Sequence, residues 1–303
     1  MESSALNFKE LKKLYGQQVN IMRLFRECTG ADSNSTEAVL VAYDLQSGSY
    51  RRALENPGQR ARFDAYTGAM AAVLDTLDFD SLLDAGTGEA TTLCALLSLL
   101  RRRPARAAGF DLAWSRVAHG REHARGFPGA APDLFTGDIF HIPVADAAFD
   151  CVFTSHALEP NYGREREALA ELARVARRWI VLFEPSYELG DDDTRRHIEE
   201  FRYVRALPDA ARAAGLEVAH HALLSACISP RNQTAALVLR KPGTPAPAPA
   251  PWLGCPLCHA PLAPLKSHLF CAGDGLVFPI LDGIPALLPA NGVLASHFAS
   301  STL

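Results

Sequence analysis

The stretch LLDAGTGEA, residues 82–90, passes from an apolar run through two glycines into a segment of helical spacing. Gly86 and Gly88 let the backbone turn tightly and bring main-chain N–H groups up to a ligand with no Cβ in between. The helix that follows offers further unpaired N–H groups. Two glycines also serve strand-to-helix turns for geometry alone, so the next strands must be read with it. Asp111 closes the strand-like run RAAGFD (106–111), 27 residues after Asp84. A carboxylate at that strand end can accept both hydroxyls of a ribose, and it can also cap the helix that begins after Ala113. A third piece, TGDIFHIPVADAAFDCVF (136–153), puts Asp138 and Ile139 behind a strand-like segment and leads into a further strand at Phe149, Asp150 and Val152. The three pieces in this order point to a nucleotide-type ligand at the carboxyl ends of a parallel sheet. The nicotinamide-dinucleotide pattern needs a third glycine three positions after Gly88, where Thr91 stands.

Around this core, short apolar runs alternate with helical segments. Strands are expected near 81–85, 106–111, 148–154, 178–184, 216–223 and 234–240, and helices near 89–102, 113–125, 164–177 and 193–212. That alternation predicts a doubly wound α/β sheet over residues 79–240. Residues 1–78 read differently, with helical periodicity in Phe8, Leu11 and Leu14 and again in Val39, Val41 and Leu45, and form a helical cap or lid. KPGTPAPAPAPW (241–252) alternates proline and alanine, which favours extended polyproline II and marks a linker. Residues 253–303 form a small C-terminal domain.

Of the 303 residues 48% are hydrophobic and 21% charged, the balance of a globular protein. The formal net charge of −4 supplies no global positive field, which argues against a nucleic-acid partner. No apolar run reaches the roughly 20 residues that span a bilayer, and MESSALNFKELKKLYG lacks the apolar core of a signal peptide. No membrane and a cytoplasmic location are expected. Cys28, Cys94, Cys151 and Cys227 are scattered and three further cysteines cluster, which is not a disulfide framework.

The pattern DxGxG, an acid ending the second strand, GD followed by IP, and AFDxVF resembles the class I S-adenosylmethionine-dependent methyltransferases over about residues 80–240. The resemblance implies a Rossmann-like, seven-stranded doubly wound sheet and S-adenosylmethionine as cofactor. By it, Gly86 and Gly88 line the methionine part with Asp84 close by, Asp111 holds the ribose, Leu112 and Ile139 sandwich the adenine, and Asp138 bonds its amino group. Thr87, Ser155 and Tyr50 complete the expected cofactor set. Ala90 departs from the family, which often has a third glycine there. AYDLQSGSYR (42–51) could close over the cofactor, with Tyr43 or Tyr50 offering an aromatic face to the sulfonium, or could be simple core packing.

Methyl transfer from a sulfonium needs proximity and orientation above all, and a base only where the acceptor holds its proton tightly. Ser155, His156 and Glu159 in TSHALEPNYG, and Glu184 and Tyr187 in LFEPSYE, follow strand ends where an acceptor would lie. His156 and Glu159 are the catalytic candidates, although His156 can equally do no more than fix its loop. SHALEP stands where methyltransferases of amide or nucleobase nitrogens carry an NPPY-type stretch, which favours a small-molecule acceptor methylated at O or N. An RNA or translation-factor methyltransferase and a non-catalytic cofactor-binding scaffold are the alternatives.

The tail, CPLCHAPL (255–262) and LFCAGDGLVFPILDGIPALLP (269–289), resembles the zinc-ribbon-like Trm112 family, whose members partner and activate methyltransferases. Cys255, Cys258 and Cys271 with Asp274 in the fourth place form a Cys3Asp set for structural zinc, with His268 as a rival ligand and a metal-free ribbon as the alternative. The apolar run Val277, Phe278, Ile280, Leu281, Ile284 and Leu287 needs cover, either from the catalytic domain or from a second copy, as in a homo-oligomer joined through this domain.

Overall fold

The computed structural model describes residues 7–298 apart from 128, 130, 246 and 266. Ser81–Ala85 (β1) is buried at every position, as expected of a parallel strand covered on both faces. It lies between Arg106–Asp111 (β2) and Phe149–Ser155 (β4), parallel to both. With Asp133–Thr136 (β3), Ala176–Pro185 (β5), Glu217–Leu223 (β6) and Thr234–Arg240 (β7), the sheet has seven strands in the order β3-β2-β1-β4-β5-β7-β6. β7 is antiparallel to both neighbours. The order reverses beside β1, so the crevice for a ligand opens between the ends of β1 and β4. β3 is four residues long, too short to stand out among the expected strands.

Ten helices are described: Phe8–Gly16 (α1), Ile21–Thr29 (α2), Thr36–Leu45 (α3), Ser49–Ala53 (α4), Pro57–Leu74 (α5), Thr91–Leu99 (α6), Trp114–Ala124 (α7), Glu165–Val175 (α8), Asp192–Phe201 (α9) and Leu207–Ala213 (α10). Side-chain alternation along the strands divides the core. Leu82, Cys151, Phe153, Val181 and Val238 pack under Met70 and Leu74 of α5 and Leu93 and Leu97 of α6. Their neighbours Leu83, Val152, Ile180, Leu182 and Leu239 face Leu169 and Leu172 of α8 and Ala211 of α10. The single helix expected over 193–212 is two. Pro208 has no N–H to continue a helix, and Arg202 and Ala206 take left-handed φ of 56° and 52° where the chain turns. α1, α2 and α3 close around their own cluster of Leu11, Ile21 and Ala42, and α3 rests on α7.

The C-terminal segment is a meander of short strands, Ala263–Leu265 (β8), His268–Cys271 (β9), Leu276–Leu281 (β10), Ile284–Pro285 (β11) and Val293–Leu294 (β12). It docks on the β3 edge. Thr136 and Ala286 form a parallel bridge, and Leu287 N–H donates to Thr136 Oγ1 at 2.9 Å. Trp252 at the end of the linker packs against Phe149 and Phe135, with ring centroids 5.4 and 5.7 Å away. Phe278 and Leu287 thereby join the main core, and Val277 and Ile284 are buried as well. The same chain covers most of the apolar run, with Leu281 left half exposed. Among the described residues no helix is long and apolar enough to cross a membrane.

Candidate active site

The β1–α6 turn is shaped by its glycines. Gly86 and Gly88 have φ of +92° and +56°, and a Cβ built on Gly86 would fall 2.3 Å from the Ala157 Cβ. Gly86 N–H and Thr87 N–H donate to Phe110 O at 2.9 and 2.8 Å, stitching the turn to β2. Asp111 Oδ2 accepts from Gly88 N–H at 2.9 Å, and Oδ1 from Ala113 N–H at 3.0 Å. The carboxylate therefore braces the glycine turn and the entry to α7 together, and each oxygen keeps a lone pair for a ligand.

A cavity of about 480 Å³ opens beside this turn. Asp84, Gly86, Thr87, Gly88, Asp111, Leu112, Ile139, Ser155, His156, Glu159 and Tyr50 all line it, although they come from five separate stretches of chain. Asp138 does not. Its Oδ1 accepts from Phe140 N–H at 3.0 Å and its Oδ2 lies 3.5 Å from His141 Nδ1, so the acid that the resemblance assigns to adenine is turned onto its own loop.

Asp84 is buried, with Oδ1 lacking a hydrogen-bond partner. Burial pushes its carboxyl up to about 7. The nearby Thr87 hydroxyl opposes the rise without reaching hydrogen-bond geometry, and the charge of Asp111 adds to it. Tyr50 and Tyr43 hold a cation, but it belongs to the protein: the Arg116 guanidinium stands 4.5 and 4.9 Å from their ring centroids. Arg116 thus covers one face of each ring, and both tyrosines line the cavity. Its chain neighbours carry no signal for this, because Arg116 is buried only when α7 lies across the glycine turn. Glu89 is the second residue missed. Oε1 accepts from Gly48 and Tyr50 N–H at 2.8 and 3.3 Å and Oε2 from Arg51 N–H at 2.9 Å, which fastens α4 over the cavity.

At the other end of the cavity, His156 sits in a left-handed conformation (φ 55°) at the end of β4. Its Nδ1 lies 2.8 Å from Glu159 Oε2 and its Nε2 2.9 Å from Thr234 Oγ1. Burial alone would lower its pKa, but the Glu159 and Glu184 carboxylates outweigh it and hold the imidazole above its ordinary value. Both ring nitrogens of His156 are therefore engaged within the protein. Ser155 Oγ is paired with Tyr66 OH at 2.9 Å. Glu184 lies beneath the site and accepts from the backbone N–H groups of Ala157, Leu158 and Glu159 at 3.0 to 3.2 Å. Burial pushes it up to about 7. Tyr187 is bonded to Glu199 at 2.8 Å and lies away from the cavity.

The residues present fit S-adenosylmethionine. Asp111 suits a ribose, Leu112 and Ile139 are apolar and flank the same cavity, and the glycine cradle is one that side chains would fill.

In the C-terminal segment one ligand atom from each of Cys255, Cys258, Cys271 and Asp274 lies within 4.8 Å of the others. Cys255 Sγ is 3.1 Å from Asp274 Oδ2, and Cys258 and Cys271 Sγ are 3.4 Å apart. The edges of a tetrahedron of sulfur and oxygen around zinc are roughly 3.3–3.8 Å, so three thiolates and a carboxylate fit that ion. His268 is not in the group; its ring packs against Phe298.

Residues 82–178 match the family described as a methyltransferase domain. The C-terminal segment is similar to the UPF0434 protein of Stutzerimonas stutzeri, 58% identical over 41 residues that make up 13% of this chain and 67% of that one. A demethylmenaquinone methyltransferase of Thermobifida fusca is 34% identical over 117 residues, 39% of this chain and 43% of that one. In fold the chain is similar to the magnesium protoporphyrin IX methyltransferase of Synechocystis PCC 6803 with bound SAH, at a TM-score of 0.53 and 15% identity, over 67% of this chain and 99% of that one. The core is thus a class I S-adenosylmethionine-dependent methyltransferase domain. The chain belongs, through its C-terminal segment, to the Trm112-like UPF0434 family. It spans less than half the length of the longer curated relatives it matches.

Proposed function

We propose that the protein transfers a methyl group from S-adenosylmethionine to the oxygen or nitrogen of a small-molecule acceptor. One observation carries the reading: a single cavity joins the glycine turn and Asp111 at one end to Glu159 at the other. S-adenosylmethionine supplies a methyl group on an already activated sulfonium. The chain's own residues then have three tasks. Asp111, Leu112 and Ile139 hold the nucleoside, the lid fastened by Glu89 excludes water, and Glu159 takes the proton that a neutral acceptor gives up. Asp138 supports this site through its loop rather than through adenine. A small acceptor suits a cavity whose far wall includes the apolar side chains of Val39, Leu54, Phe63 and Ile228. The reading places the chain in the cytoplasm, where its seven cysteines, all unpaired, stay reduced.

Calorimetric titration with S-adenosylmethionine and S-adenosylhomocysteine tests it. Micromolar binding is expected, with a loss of about tenfold or more in Asp111→Ala, where a buried charged hydrogen-bond acceptor is removed. Binding that ignores Asp111 would place the cofactor elsewhere. Binding with no turnover of any small acceptor, beside salt-sensitive affinity for RNA, would favour the RNA alternative.

A further inference from the structure

Beyond the glycine turn the cavity is lined by apolar side chains together with Gln59, Arg62, Asn161 and Asn232. Val39, Leu54, Phe63, Phe140 and Ile228 line it, and Glu159 stands among them. The two oxygens of Glu159 are differently placed. Oε2 lies 2.8 Å from His156 Nδ1 and accepts from Asn232 Nδ2 at 3.3 Å. Oε1 makes no hydrogen bond with any described residue, although the Glu159 side chain is only 12% exposed. With no donor among the described residues, Oε1 is free to accept a hydrogen bond from a ligand in the cavity. Its partner oxygen is held in place. His156 is pinned at its far side by Thr234 Oγ1 at 2.9 Å, and Asn232 is held by its own backbone bond to Ser229 O at 3.0 Å.

Resting on the methyl-transfer reading above, we propose that the acceptor is a neutral, largely apolar molecule that donates a hydroxyl or N–H group to Glu159 Oε1. A carboxylate in that position would meet the lone pairs of Oε1. An acceptor with no donor would leave Oε1 buried and unpaired.

Four probes of one shape separate these cases: a naphthol, a naphthylamine, methylnaphthalene and naphthoate, each titrated into the full-length protein loaded with S-adenosylhomocysteine. The naphthol or the naphthylamine is expected to bind at least about tenfold more tightly than the other two, the difference made by one hydrogen bond to a charged group. Comparing those two separates O–H from N–H acceptors. Glu159→Gln should invert the order. Asn232 Nδ2 donates to the Oε2 position, so the amide that puts its oxygen there turns its NH2 to the cavity, which then favours naphthoate. Equal binding of methylnaphthalene, tighter binding of naphthoate to the unsubstituted protein, or no probe binding beside bound S-adenosylhomocysteine would each overturn the inference. So would a Gln variant that keeps the original order. Failure to bind S-adenosylhomocysteine at all would instead sink the methyl-transfer reading. The four probes on the unsubstituted protein decide the matter even where the variant does not fold.

Discussion

Asp84 and Glu184 are buried carboxyls within one site, and both are held near 7. A carboxyl raised on folding binds its proton more tightly in the folded state. Its contribution to stability is therefore full below the ordinary carboxyl range and is lost as pH rises toward about 7. The ligand-free protein should melt at a higher temperature as pH is lowered through that window. Asp84→Asn, which mimics the acid, should flatten the slope. A slope unchanged in this variant would mean that Asp84 is ionised in the folded chain. Asp84 and Asp111 could be read from their places at strand ends. The turning of Asp138 toward Phe140 could not, because it depends on how three residues of one loop fold back.

The glycine turn and the lid meet at Glu89, the residue between Gly88 and Ala90. Two carboxylate oxygens serve three N–H groups of a five-residue helix that has no side-chain cap of its own. An isolated helix that short does not persist in water. Glu89→Gln leaves a single acceptor oxygen. Amide exchange at Gly48, Tyr50 and Arg51 should speed up by about tenfold or more, with weaker S-adenosylhomocysteine binding and little change elsewhere. Exchange that stays slow would show that Arg116, stacked on Tyr43 and Tyr50, holds the lid alone. Helical periodicity predicted elements in the first 78 residues, but the acid that anchors α4 sits 41 positions from Gly48.

The C-terminal segment is fastened to the sheet edge rather than tethered loosely by its linker. Trp252 fills the joint between Phe135 and Phe149, and Arg121 of α7 donates to Asp282 across it. Truncation to Trp252→Ala should cost about 2–4 kcal/mol and open residues 241–252 to limited proteolysis. Equal protease resistance in the variant would shift the weight of the joint to the Thr136 bridge. The purified protein should contain about one zinc ion per chain. Cys271→Ser should lose it, and the melting temperature should fall, as elemental analysis and calorimetry would report. A full zinc content in that variant would remove Cys271 from the ligand set.

Much of this was legible along the chain, because a parallel sheet writes itself as buried apolar runs separated by helices, and because glycines and strand-end acids recur at fixed spacing from β1. The CxxC knuckle with its third cysteine and Asp274 was equally local in character. The break at Pro208 was signalled by a single residue and overridden by the helical spacing on either side. Other features exist only when distant segments touch. Arg116 becomes a buried partner of two tyrosines when α7 crosses the glycine turn, Glu89 becomes an anchor when α4 folds back, and His156 loses its free nitrogens when Thr234 arrives from β7. Periodicity and spacing report which face of an element is buried, whereas charge and hydrogen-bond partners depend on what the rest of the chain brings to that face.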